Sequence, residues 1–435
     1  MDPASQLDEI LNVGIMGSSI VEISKDSLVG RQSIDASGLV VAPGFIDLHE
    51  HGQTDEAYGL MVRDGVTSAF ELELGTNDVP KWYQERDGGQ YVNYGVSISH
   101  VRVRMKVMGD EGEFIPSGPA KHQPATKEQV IEIARLLDEG LTQGAIAVGF
   151  GLAYTPATNT EEFETMLRIA KKHGASSHIH LRSKGVKALE EGISGAVNVG
   201  TPLHVVHINS TGAGETAAML AMIEEVRKQG HDITTEAYPY EAGMTDIEAA
   251  FFDDWENWED TRFSRHQWLE TGEFLTRETF AKYRETGGMI AIHERTEEMT
   301  LTAIENPLTI IASDGIMIEG KGHPRTTGSY AKVLGKYVRE LGSITLMEAL
   351  RKMTIAPARR LETHVPQMAK KGRISVGADA DITIFDQETV IDQSTYTNPT
   401  KTSLGIPFVF VNGKLVVNNG ELSQDIRPGK AIRNQ

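Results

Sequence analysis

The stretch PGFIDLHEHG at residues 43–52 sets two histidines, His49 and His51, two positions apart at the end of an apolar run. Residues two apart on a strand lean to the same face, so both imidazoles can turn toward one cation. An isolated His-x-His pair is weak evidence, because so short a match arises by chance. Other run ends strengthen it. His180 ends ASSHIH, His207 lies at the end of PLHVVHI, Asp314 ends LTIIASD, and Glu73 ends VTSAFELE with Glu71 on the same face. Buried carboxylates are costly unless paired or bound to metal. Imidazoles with carboxylates suit a divalent cation, with zinc expected at one or two ions per chain. A cation held there lowers the pKa of bound water toward ~7 and polarises a carbonyl. Asp314 is the candidate general base, taking the water's proton and returning it to a leaving nitrogen. That chemistry is hydrolysis of an amide or a related C–N bond.

Side chains so far apart in sequence must be gathered by a repeating scaffold. Apolar, β-branched runs alternate with helix-period segments, the pattern of parallel βα units. Eight strands are expected, at 40–48, 66–73, 95–103, 144–150, 175–180, 202–208, 232–238 and 308–314. Eight is the number of a TIM-like (β/α)8 barrel, whose catalytic residues sit at the C-terminal ends of the strands. Thr126 and Gln129 form a capping box for a helix over 127–140, and a second helix is expected over 161–173, stopped by Gly174.

The fold class expected is therefore α/β, a metal-dependent hydrolase barrel over 43–364. Residues 1–42 and 365–435 are rich in short strands and Gly turns, and are expected to pair into one small β-sandwich domain built from both ends. The acidic, aromatic span 244–305, with AAFFDDWENWED, reads as an insertion after strand seven near the barrel mouth. A solvated helical excursion is its plainer reading.

Other histidines compete for the site. His178 shares a strand face with His180 and is a rival ligand. His204, three before His207, is expected on the opposite face. His100, inside SHVRVRM on strand three, is expected to support ligands rather than be one.

The chain has 435 residues and a formal net charge of -19, from 61 acidic and 42 basic side chains. Such a field repels nucleic-acid phosphates and anionic membranes, so neither is an expected partner. There is no cysteine, which removes disulfides and thiolate chemistry. No apolar run reaches the length of a membrane span, and no signal peptide opens the chain. The cytoplasm is the expected compartment, although a removed leader would leave no trace. The expected partner is a small molecule, and a homo-oligomer is left open.

The motifs carry a resemblance as well. APGFIDLHEHG, RDGVTS, SHVRVRMKVMG, GAIAVGFGLAYTP, HIHLRS, VVHINSTG, EAYPYEAG, ASDG, GHPRTTGSY and GRISVGADADITIF run over nearly the whole length. Together they resemble the amidohydrolase superfamily and, within it, the D-aminoacylases (N-acyl-D-amino-acid deacylases). The resemblance implies deacylation of an N-acyl-D-amino acid to a carboxylate and a free D-amino acid. It places His49 and His51 at an α metal position and His180 and His207 at a β position. D-aminoacylases use a strand-two Cys as the β or bridging ligand, and other amidohydrolases a carboxylated Lys on strand four. This chain has neither, which leaves Glu73 as the bridge and Glu71 in reserve, in a site of one ion or two. For the substrate carboxylate, Tyr238 and Arg325 match the expected Tyr and Arg. Asn209 stands where a Lys is expected and is the third residue expected at the substrate, and Met244 stands where a Ser is expected.

Two alternatives stay open. One keeps the metal chemistry and changes the substrate, as in a dipeptidase or cyclic amidase. The other is a metal-free interaction protein on the same fold, which predicts gaps among ligands that here are present.

Overall fold

The computed structural model describes residues 1–434. Eight parallel strands form one sheet in chain order: β1 (Phe45–Asp47), β2 (Val66–Thr76), β3 (Asn93–Ser99), β4 (Ala147–Gly151), β5 (Ser176–His180), β6 (Leu203–Val205), β7 (Ile233–Ala237) and β8 (Thr309–Ile311). The sheet rolls up so that its two ends meet just beyond the last strand. Asp314 N donates to the His49 carbonyl and His51 N to the Gly315 carbonyl, each at 2.8 Å. Helices cover the outside, and most strand residues are buried, as the apolar runs require. The helix Lys127–Thr142 carries the expected capping box between Thr126 and Gln129.

Several strand limits differ from expectation, and three of the differences have a clear local reason. The run 40–48 is two strands, not one. Val40–Pro43 pairs antiparallel with Ile382–Phe385, and after Gly44 the chain turns into β1. Strand three stops at Ser99, whose side chain accepts from Arg102 N and caps a helix over His100–Met108. The eighth strand ends at Ile311, so Asp314 stands beyond it, with φ +52°.

Val40–Pro43 joins Ile382–Phe385, Phe408–Val411, Lys414–Asn418 and Glu421–Leu422 in a five-stranded sheet. A hairpin of Asn12–Met16 and Ser19–Ser24 lies against it, sharing a core of Ile20, Ile374, Ile382 and Ile384. Both ends of the chain thus meet in one β-layered unit.

After β7 comes a three-stranded antiparallel sheet, Gly243–Asp246, Met289–Ile292 and His266–Trp268, with a helix over Arg277–Thr286. Its core is aromatic: Phe252, Trp258, Phe263, Trp268 and Phe280 pack with Leu74 and Tyr154 from the barrel mouth. The span is thus a folded wall rather than a solvated excursion. It is also shorter than 244–305, because the helix Glu297–Glu305 packs on β7 and β8 and belongs to the barrel. No helix among the described residues is long and apolar enough to cross a membrane.

Candidate metal centre

His49 and His51 leave the end of β1 with their Nε2 atoms 3.0 Å apart. The Oε2 of Glu73, from β2, lies 3.1 Å from both, and the Oδ1 of Asp314 lies 3.3 Å from both. The other oxygen of Glu73 serves a second group. Its Oε1 is 2.7 Å from His180 Nδ1 and 3.5 Å from His207 Nε2. Glu73 therefore splits its two oxygens between a group of His49, His51 and Asp314 and a group of His180 and His207. In each group the ligand atoms lie within 4.8 Å of one another. Only nitrogen and oxygen donors take part, and converging imidazole nitrogens beside buried carboxylates fit a divalent cation of the zinc type.

β5 runs to its end at His180, whereas His207 stands two residues past β6 at φ +33°, where the backbone turns into the helix Ile208–Gly212. That turn swings the imidazole of His207 to 3.1 Å from His180 Nδ1.

Two further carboxylates hold the first pair of imidazoles. Glu236 Oε1 lies 2.5 Å from His49 Nδ1, and Glu71 Oε2 lies 2.6 Å from His51 Nδ1. Each fixes which ring nitrogen is left for the centre. Burial alone would raise the carboxyls, but the charges outweigh it. The imidazoles of His49 and His180 hold Glu73 well below the usual range, and those of His49 and His204 hold Glu236 at about 2. Arg325, with Nη1 2.9 Å from Asp314 Oδ2, and His49 hold Asp314 low against its burial.

A cavity of about 560 Å³ opens onto the centre. His51, His180, His207 and Asp314 reach its floor, and the insertion supplies one wall with Met244, Phe251, Phe252 and Arg295. Its lining contains six cations, Arg182, Lys184, Arg262, Arg265, Arg295 and Arg325, against the acids Glu294 and Asp314. In a chain of net charge -19 that reversal of sign favours an anionic ligand.

The sequence profile described as Amidohydrolase family matches residues 32–417. The chain belongs to that family. It is 31% identical to N-acyl-D-glutamate deacylase of Alcaligenes xylosoxydans xylosoxydans, across 97% of this chain and 92% of that one. It is 28% identical to D-aminoacylase of the same organism, across 92% and 89%. A crystal structure of N-acyl-D-glutamate deacylase from Bordetella bronchiseptica holds zinc and a phosphonate that mimics the tetrahedral intermediate. It superposes with a TM-score of 0.85 at 25% identity, covering 99% of this chain and 97% of that one. A crystal structure of D-aminoacylase gives 0.82 at 25% identity, covering 100% and 98%.

Within this amidohydrolase, all six residues expected at the metal converge. Glu71 does not stand between the two groups as Glu73 does; it meets His51 Nδ1 from behind. His178 stays below the centre, with Nε2 3.2 Å from Ser176 Oγ and its ring 4.7 Å from that of His204. His204 was expected to face away from the barrel axis, yet it faces inward and meets Glu236 Oε2 at 2.8 Å. Alternation along the strand fails as a guide here because β6 ends at Val205 and His207 arrives by a turn. His100 opens a helix and meets Glu162 at 2.9 Å, in a buried cluster with Arg104.

Of the three residues expected at the substrate, Tyr238 and Arg325 line the cavity. Asn209 does not. It is buried and donates to the Tyr238 carbonyl at 2.9 Å, which steadies that tyrosine from behind. Glu236 and Arg295 escaped the reading of the sequence. A signal for Glu236 was present, since it lies two residues before Tyr238 in TTEAY and so shares its strand face.

Proposed function

We propose that this amidohydrolase removes the acyl group from N-acyl-D-amino acids, using zinc held by His49, His51, Glu73, His180, His207 and Asp314. The observation that carries this reading is the pair Tyr238 and Arg325. Both are buried, and both keep a polar atom without a hydrogen-bond partner: the hydroxyl of Tyr238 and Nε of Arg325. Buried polar groups are nearly always satisfied, so such atoms facing a cavity point to a ligand that satisfies them. A planar guanidinium and a phenol suit a carboxylate. Arg325 also stands 2.9 Å from Asp314, which supports a substrate whose carboxylate lies close to its scissile amide, as in an N-acyl amino acid. The D configuration is supported by the relatives, which are named for D-amino-acid substrates.

Zinc, when bound, acidifies a water and polarises the amide carbonyl. The residues of the chain do the rest. Asp314, kept ionised by Arg325, accepts a proton from the attacking water on its carboxylate and passes it to the leaving nitrogen. Glu236 and Glu71 keep His49 and His51 in the tautomer that presents Nε2 to the metal. Phe114, Tyr154 and Phe251 give the cavity an apolar side that takes the acyl group and excludes water.

The deciding experiment is metal analysis of the purified protein together with a panel of N-acyl-D- and N-acyl-L-amino acids. The expected result is one or two zinc equivalents and turnover of the D series. Zinc with turnover only of dipeptides or cyclic amides would replace the substrate assignment, and absence of bound metal after zinc loading would remove the catalytic one.

A further inference from the structure

Two guanidiniums flank Tyr238, not one. The Cζ of Arg325 lies 4.5 Å from the ring centroid and that of Arg295 lies 4.8 Å from it. Their surroundings differ. Arg325 already faces Asp314, whereas Arg295 bonds only neutral groups: Nη1 donates to Ser210 Oγ at 2.9 Å and Nη2 to the Tyr240 carbonyl at 3.3 Å. Its Nε is buried without a partner. Other cavity cations are taken, Lys184 by Glu294 at 2.7 Å and Arg182 by Glu191 at 2.7 Å, while Arg265 stands exposed at the rim. A half-buried guanidinium that meets no carboxylate is costly unless an anion arrives to meet it.

Gly243 shows where the anion goes. A Cβ built on it would lie 3.2 Å from Arg295 Nη1, 3.3 Å from the Tyr238 hydroxyl and 3.7 Å from Ser210 Oγ. A guanidinium, a phenol and a hydroxyl thus surround one small space, kept clear by a residue with no side chain. All three groups around it can donate a hydrogen bond.

We propose that Arg295, with Ser210 and the Tyr238 hydroxyl, forms the second half of the carboxylate seat, and that Gly243 leaves room for the carboxylate to bridge Arg295 and Arg325. This rests on the N-acyl-amino-acid reading. It makes the full negative charge a requirement for tight binding, since a carboxylate gives both cations charge-assisted bonds, whereas a carboxamide offers one neutral acceptor oxygen.

The test uses the zinc-loaded enzyme and an uncleavable probe, 4-oxopentanoate, which is N-acetylglycine with CH2 in place of NH; 4-oxopentanamide is the neutral control. Calorimetry should show wild type preferring the acid. Arg295→Ala should weaken the acid about 10- to 100-fold and leave the amide within about twofold, with Arg295→Lys recovering part of the loss. Gly243→Ala, which adds one methyl to the same space, should weaken the acid in the same direction. Unchanged acid affinity in Arg295→Ala, with a loss in Arg325→Ala, would overturn this inference alone. Equal losses for acid and amide would make Arg295 merely structural. A wild type that does not prefer the acid would overturn the N-acyl-amino-acid reading and this inference with it.

Discussion

His49 and His51 each turn one ring nitrogen to the metal centre and the other to a buried carboxylate, Glu236 and Glu71. His180 and His207 have no such backing. His180 presents Nδ1 itself to Glu73, and the Nδ1 of His207 is buried without a hydrogen-bond partner. One half of the centre is therefore oriented from behind by acids, while the other is oriented by backbone: a strand end for His180 and a left-handed turn for His207. The two halves share only Glu73. The difference teaches that the first half can be weakened through side chains that are not themselves among the converging residues, Glu236 and Glu71, whereas the second offers no such carboxylate.

The strongest test of the shared chemistry is Asp314→Asn. It should keep zinc and lose kcat by about 1,000-fold, the scale of a lost general base. Near-normal turnover would take the proton-transfer role from Asp314. Next comes Glu73→Ala, which removes the one residue common to both halves. Zinc affinity should fall by more than about 100-fold across the whole centre, beyond what loss of a supporting residue produces. If one ion stayed at full strength, Glu73 would belong to a single half.

Smaller and more selective is Glu236→Gln. Competition with a chelator should show affinity at His49 and His51 reduced about 10- to 100-fold, with the other half within about threefold. Equal losses in both halves would erase the contrast. The smallest effect is one of pH. The folded pKa of Glu236 is depressed to about 2, so its stabilising contribution is present above the unfolded value near 4.5 and is lost as pH falls through 2. Thermal melts of the metal-free protein should place wild type above Glu236→Gln at pH 6, and the gap should close toward pH 2.

The contrast also explains what could be read from the sequence. His49, His51, His180, Glu73 and Asp314 were legible because period-2 alternation and run ends place them at the mouths of strands. The eight strands were legible for the same reason. Alternation misplaced His204, because a residue's face can be inferred only while the strand continues, and β6 ends at Val205. SHVRVRM alternates like a strand, yet Ser99 caps a helix there, so a local side-chain bond overrode the apolar pattern. Asn209 was read as a binding residue from its place in a resemblance. Its actual bond, to the Tyr238 carbonyl, depends on how two loops pack. Arg295 was out of reach altogether, because it reaches the cavity through an antiparallel sheet whose pairing no local signal announces.

Two of the residues at the centre, His207 at φ +33° and Asp314 at φ +52°, hold left-handed backbone conformations that L-residues adopt uncommonly, Asn, Asp and His more often than the rest. Such a conformation costs about 1–3 kcal/mol, and Asn or Asp, with a short polar side chain that can bond locally, bears it more readily than His. Mutational drift toward a sturdier fold would therefore wear at this position. His207→Asn should leave the chelated protein at least as heat-stable as wild type while it loses zinc from the second half. Stability of the free chain and zinc binding would then pull this position in opposite directions.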